Sequence, residues 1–214
     1  MHRVISGGVM GLTVVALLVA SWHAHGEGAG SAAIPALYQS SYALEAANDI
    51  GGALAKARDI VRRDPDDYVG QLRVGWLLYL NKQYDDSAAV YRTAVKLRPT
   101  AVEPKLGLML PLMAASKNQD ALTTAEAVLA IDRGNYLARS RKAYLLYQLG
   151  RYAKAEVEYR AVLEQYPSDV EMMAGLAWSL IKQGRCPQAR GVFTGLLHVA
   201  PQHSSGRAAA SECE

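Results

Sequence analysis

The sequence predicts an all-α chain, a solenoid of stacked helix-turn-helix units closed by a short C-terminal capping helix. Three observations predict it. Pro65, Pro99, Pro167 and Pro201 each end a helical pattern and fall 34 or 68 residues apart, with Arg133 in the place of the missing member. Counting back from them gives five units, 34–67, 68–101, 102–135, 136–169 and 170–203, which align without a gap. Within the units, position 8 is Ser41, Gly75, Ala143 or Ala177, with Met109 the exception, and position 20 is always small: Ala53, Ser87, Ala121, Ala155 and Ala189. A fixed period of about 20 to 50 residues marks a repeat architecture. Small residues at two fixed points let two antiparallel helices approach closely.

The N-terminus comes before the repeats and differs from them. "MHR" precedes "VISGGVMGLTVVALLVA", a stretch without an ionisable group, and then the small, polar run "HGEGAGSAA". This is the anatomy of a secretory signal, with acceptable cleavage after Ser21 or after Gly26. The alternative is an uncleaved anchor, since the uncharged stretch from Val4 to Trp22 approaches the roughly 20 residues of a spanning helix. Residues 1–26 are therefore expected to be a signal peptide or a membrane anchor, and 27–33 a flexible linker. The expected location is periplasmic or secreted, or anchored with the repeats outside the cytoplasm.

In each unit a first helix ends at a tight turn, a second helix follows, and the closing proline stops it because it cannot continue the hydrogen-bond ladder. The turns show in "NKQYDD", "QLGRYAK" and "KQGRCPQ", where Gly150 and Gly184 sit at the end of the first helix. Position 24 is aromatic in units two, four and five, as Tyr91, Tyr159 and Phe193. Units one and three depart from the pattern, with Ala57 and Ala125 there. In unit three Pro111 falls inside the first helix and is expected to kink it, unless that helix is shortened to begin after Pro104. The tail 204–214, "SSGRAAASECE", keeps the register of a sixth first helix and reads as a polar cap.

A 34-residue period with small residues at positions 8 and 20, an aromatic at 24 and proline at 32 resembles the tetratricopeptide repeat family. The resemblance covers Ile34 to His203. It implies a right-handed superhelix whose concave groove, formed by the first helices, holds peptides or partner domains. Carrying the family's groove positions 5, 9 and 12 onto this chain gives Tyr38, Tyr42 and Glu45, then Leu72, Trp76 and Tyr79, then Leu106, Leu110 and Met113. Units four and five add Ser140, Tyr144 and Tyr147, then Ala174, Trp178 and Ile181. Arg73, Arg141 and Lys182 lie beside them. So many aromatic and aliphatic side chains on an open face point to an interaction site. The competing reading is that they pack between neighbouring first helices and stiffen the array. The asparagine of the chaperone-tail clamp is absent from position 9.

The resemblance also bears on the two cysteines. Cys186 stands at position 17, where units two and four carry Tyr84 and Tyr152. In the family this position packs toward the following repeat, which for unit five is the cap bearing Cys213. In an exported chain a Cys186–Cys213 disulfide is expected, clasping the cap to the last repeat.

Other functions find no support in the residues. The net charge of +3, from 23 basic and 20 acidic residues scattered along the chain, nominates no nucleic-acid partner. The sequence has no phosphate loop, no histidine pair at helical spacing and no cysteine beside a histidine in a strained turn. No enzyme activity, cofactor or metal site is expected, and the expected partner is a protein or an extended peptide.

Overall fold

The computed structural model describes residues 33–213; the leader and most of the linker expected from the sequence lie outside them. Among the described residues there are eleven helices and no strand. Unit one holds α1 (Ile34–Ala46) and α2 (Ile50–Arg63), and unit two α3 (Tyr68–Leu80) and α4 (Tyr84–Leu97). Unit three holds α5 (Glu103–Ala114) and α6 (Asn118–Ile131). Unit four holds α7 (Tyr136–Gln148) and α8 (Tyr152–Leu163), unit five α9 (Val170–Ile181) and α10 (Cys186–Val199), and the cap is α11 (Ser204–Ser211). None of these helices is long and apolar enough to cross a membrane.

Each hairpin turns on one residue, position 15, held in the left-handed region: Asn48, Lys82, Ser116, Gly150 and Gly184, with φ between 57 and 71°. The same two hydrogen bonds close every turn. In unit one Asn48 N–H donates to Glu45 C=O and Asp49 N–H to Leu44 C=O; in unit four Gly150 N–H donates to Tyr147 C=O and Arg151 N–H to Leu146 C=O. This pattern satisfies carbonyls that the end of an α-helix leaves unpaired. Glycine enters the left-handed region without strain, so only in units four and five does a glycine mark the turning residue in the sequence.

At the other end of units one, three, four and five, position 34 caps the next first helix; in unit two the position is Ala101, and α5 starts without a side-chain cap. Asp67, Asn135, Asp169 and His203 accept from the N–H of Gly70, Ala138, Met172 and Gly206. A second device caps the end of the second helix. The side chain at position 4 of the next unit reaches back to the position-32 carbonyl: Gln71 to Pro65 and Arg139 to Arg133 at 2.8 Å each, and Lys105 to Pro99. Arg133 thus keeps the role of the missing proline, since its carbonyl is what is held.

The residues at positions 8 and 20 are fully buried between the paired helices. Where they are serine, the hydroxyl crosses the pair: Ser41 Oγ donates to Ala53 C=O at 2.8 Å, and Ser87 Oγ to Gly75 C=O at 2.7 Å. Met109, the large exception, is also fully buried, in the same core cluster as Ala125, the small residue at position 24 of its unit. Helix α5 is continuous through Pro111 and starts at Glu103, so the shortened alternative does not hold.

Neighbouring first helices touch directly, α3 against α5 and α7 against α9, and so make up the inner layer of the stack. The cap packs on both α9 and α10. Cys186 and Cys213 are joined in a disulfide, with α carbons 5.5 Å apart, and Arg190 donates to the Cys213 carbonyl.

Candidate partner-binding groove

Two pockets open along the face of the first helices. The first, about 470 Å³, lies across α3 and α5, with Tyr42 and Glu45 of α1 at one end and Arg141 of α7 at the other. The second, about 410 Å³, lies across α7 and α9, and Ser205 of the cap completes it.

In the first pocket, Leu72, Trp76, Leu106 and Leu110 supply apolar wall, and Val69 and Glu103 lie at the N-terminal ends of α3 and α5. Arg73 is 6% exposed and already engaged. Its guanidinium lies 3.6 Å from the centre of the Tyr42 ring, Nε donates to Ser41 Oγ, and Nη1 meets Glu45 at 2.7 Å. Trp76 Nε1 donates to the other Glu45 oxygen, also at 2.7 Å. Burial alone would raise the Glu45 carboxyl; the bonds from Trp76 and Arg73 outweigh it and hold it below the usual value. Arg73 thus fastens α3 to α1, and the ring of Tyr42, 53% exposed, lies over it.

Arg141 is different. Its Nη1 donates to the Leu106 carbonyl at 2.9 Å, and no carboxylate among the described residues pairs with it. Burial pulls its pKa down, yet it remains a cation lining the pocket.

The second pocket is more aromatic. Tyr144, Tyr147 and Trp178 face it, with Met172 and Ala174 between them and Glu171 and Lys182 at the margins. Trp178 Nε1 donates to Ser205 Oγ at 2.9 Å, and Lys182 Nζ lies 5.7 Å from the tryptophan ring centre. Glu171 meets His203 at 3.1 Å, and the other ring nitrogen of His203 caps α11. The cap is therefore tied to the pocket as well as to the last repeat.

The structure gathers Tyr42, Leu72, Arg73, Trp76, Leu106, Leu110 and Arg141 into one pocket, and Tyr144, Tyr147, Trp178 and Lys182 into the other. Five residues expected in the groove line neither: Tyr38, Tyr79, Met113, Ile181 and Ser140, whose hydroxyl donates to the Leu137 carbonyl at 3.2 Å. Tyr38 donates to Asp67 at 2.7 Å, and Tyr79 lies between the rings of Trp76 and Tyr84, 5.7 and 5.9 Å away. Met113 and Ile181 pack against the core. Position 12 therefore mainly stiffens the stack, with Tyr147 serving both ends.

Sequence reasoning missed Tyr91 and Tyr159. They are second-helix residues, buried at 4% and 3%, named from the sequence only as the aromatic of position 24. Their rings nevertheless reach the pocket walls because position 6 of the following unit is glycine: a Cβ on Gly107 or Gly175 would come within 2.3 Å of the tyrosine ring. Burial pushes the Tyr91 hydroxyl up to about 12. The signal was available in the two glycines, which stand 68 residues apart in the same repeat position.

Comparison with known proteins now fixes the family. Profiles of the tetratricopeptide repeat match residues 38–102, 111–170 and 146–213. The chain belongs to the tetratricopeptide repeat family. Among solved members of similar fold, MamA from Desulfovibrio magneticus RS-1 superposes with a TM-score of 0.75 at 16% identity, over 80% of this chain and 97% of that one. YrrB, described as a tetratricopeptide repeat protein with an unusual peptide-binding site, gives 0.72 at 15% identity over 82% of this chain and 90% of that one. A repeat protein from Parabacteroides merdae gives 0.78 at 16% identity, over 84% and 72%. In sequence, cellulose synthase operon protein C of Pseudomonas fluorescens (strain SBW25) is 25% identical in an alignment of 162 positions that covers 70% of this chain. The match spans 13% of that protein's length. Tetratricopeptide repeats are in general interaction scaffolds, and a role in binding a protein partner follows for this chain at that level.

Proposed function

We propose that this protein is an exported, non-catalytic scaffold that holds a partner protein or an extended peptide in its aromatic groove, within a cell-envelope assembly. One observation carries the reading: two pockets open on the first-helix face, where Tyr42 and Tyr144 are 53% and 45% exposed. A solenoid stabilised only by inter-repeat packing has no need to leave large rings uncovered. The leader sequence supports export, and the Cys186–Cys213 bond suits an oxidising compartment. The similarity to a protein of a cellulose synthase operon supports an envelope system that handles polysaccharide. A second reading keeps the same groove but anchors the chain in the inner membrane through Val4 to Trp22, as an adaptor or a non-catalytic subunit of an enzyme complex. The mass of the mature chain after fractionation separates these two.

The groove is tested by comparing partner capture by the native chain and by a Trp76→Ala, Tyr144→Ala variant, with thermal unfolding of both. Truncating aromatic anchors commonly costs about 2 kcal/mol or more of binding energy. Loss of capture with little change in melting supports the reading. Unchanged capture with a large fall in melting temperature contradicts it and makes the rings structural.

A further inference from the structure

The two pockets are related to one another. Shifting the first by 68 residues turns Trp76 into Tyr144, Glu103 into Glu171 and Leu110 into Trp178, each lining the second pocket as its counterpart lines the first. The tyrosine behind each glycine, Tyr91 behind Gly107 and Tyr159 behind Gly175, obeys the same shift. The intervening units break the pattern: unit three has Ala125 where units two and four have tyrosine, and Arg141 stands at the position that Gly107 and Gly175 occupy. The structural repeat is one unit long, but the pocket repeats every second unit.

From this geometry we infer that the groove holds two equivalent subsites, and that its ligand is an extended peptide inserting two bulky apolar side chains spaced to match them. The inference rests on the peptide-binding reading above and specifies its partner. The charges at the subsites determine the class of anchor. Beside the closed Arg73–Glu45 pair of the first pocket, each pocket offers one cation that has no carboxylate partner among the described residues and one exposed carboxylate: Arg141 with Glu103 in the first, Lys182 with Glu171, which also meets His203, in the second. These balance, so neither an acidic nor a basic tract is favoured, and an uncharged anchor seats on the aromatic wall while its peptide groups meet both signs. The volumes, about 470 and 410 Å³, are large enough for an aromatic or a leucine side chain with adjoining backbone.

Spacing follows from helix packing. Trp76 and Tyr144 sit two first helices apart, and packed helices lie about 8 to 10 Å from axis to axis, so the subsites are roughly 20 Å apart. An extended chain covers that in about six residues at roughly 3.3 Å each.

The test is fluorescence anisotropy with the full chain and labelled Gly/Ser peptides carrying one phenylalanine, two separated by one residue, or two about six residues apart. Linking two weak sites at matched spacing raises affinity by about tenfold or more. The six-residue pair is expected to bind at least about tenfold tighter than the single-anchor peptide, with the close pair resembling the single. Trp76→Ala and Tyr144→Ala should each reduce the six-residue pair to the single-anchor level. If Trp76→Ala unfolds, Leu110→Ser tests the same pocket, with circular dichroism reporting the fold. Equal binding of single and paired peptides, or a variant that leaves the pair unaffected, overturns the two-subsite inference and spares the groove. Absence of binding by every peptide at millimolar concentration overturns the peptide reading itself.

Discussion

Gly107 and Gly175 each lie so close to a tyrosine ring that one added methyl would come within 2.3 Å of it. Neither glycine is needed for backbone freedom, since both are helical; each is needed for the space between a first helix and the tyrosine of the preceding unit. Overpacking of this kind typically costs about 1 to 3 kcal/mol. Gly175→Ala is expected to lower stability by that order and to narrow the second pocket, whereas Gly191→Ala, which meets nothing within 4 Å, should be neutral or slightly stabilising in thermal unfolding. The carboxylates give a second prediction. Glu45, bound by Trp76 and Arg73, and Glu156, bound by Gln183, Arg160 and Arg185, are both held below their usual value despite burial, which acts the other way. A depressed native pKa means that the unfolded chain takes up protons first as pH falls. Their stabilisation is complete above about pH 4.5 and is lost progressively below it. Glu45→Gln and Glu156→Gln should flatten the acid limb of stability against pH; an unchanged limb contradicts the assignment. At this scale the pocket positions Trp76, Tyr144 and Trp178 were legible from sequence because they follow a repeat position. Tyr91, Tyr159 and Ser205 were not, because what exposes them is a neighbour's missing side chain or the placing of the cap.

Helix boundaries were legible where a closing proline or a turn glycine marks them, as at Pro65, Pro99, Gly150 and Gly184, and hidden where neither does. Asn48, Lys82 and Ser116 adopt the conformation of Gly150 and Gly184 without glycine, because the hairpin imposes it. A side chain there costs roughly 1 kcal/mol or more, partly repaid by a less flexible unfolded chain. Lys82→Gly and Ser116→Gly are therefore expected to raise stability by up to about 1 kcal/mol in denaturant unfolding, and Gly150→Ala to lower it by a similar amount. The cap provides the other test at this scale. Helix α11 has eight residues, too few to persist in water by propensity. Closing the loop from Cys186 to Cys213 contributes roughly 3 to 4 kcal/mol in the chain-entropy model. Reduction, or Cys213→Ser, should speed amide exchange across Ser204–Ser211 by tenfold or more while leaving α3 and α5 unchanged. Equal exchange in both states would show that packing alone holds the cap.

Across the whole molecule, stability is a chain of local interfaces, since each unit touches mainly its neighbours. That locality made the fold readable: a gap-free period of 34 residues determines which helices pair without any long-range inference. The longer period of 68 residues, which sets the pockets, was not apparent because it rests on a few aromatic and glycine positions in alternate units. Partner capture from one face tests the central claim most directly. A photo-crosslinking amino acid is placed in the full chain at Tyr144, in the groove, and separately at Val157, 63% exposed on second helix α8. The account predicts that Tyr144 captures a discrete partner in living cells, that Trp178→Ala abolishes that capture, and that Val157 captures none of it. Capture of the same partner from Val157 with none from Tyr144 would place the interface on the other face and contradict the account.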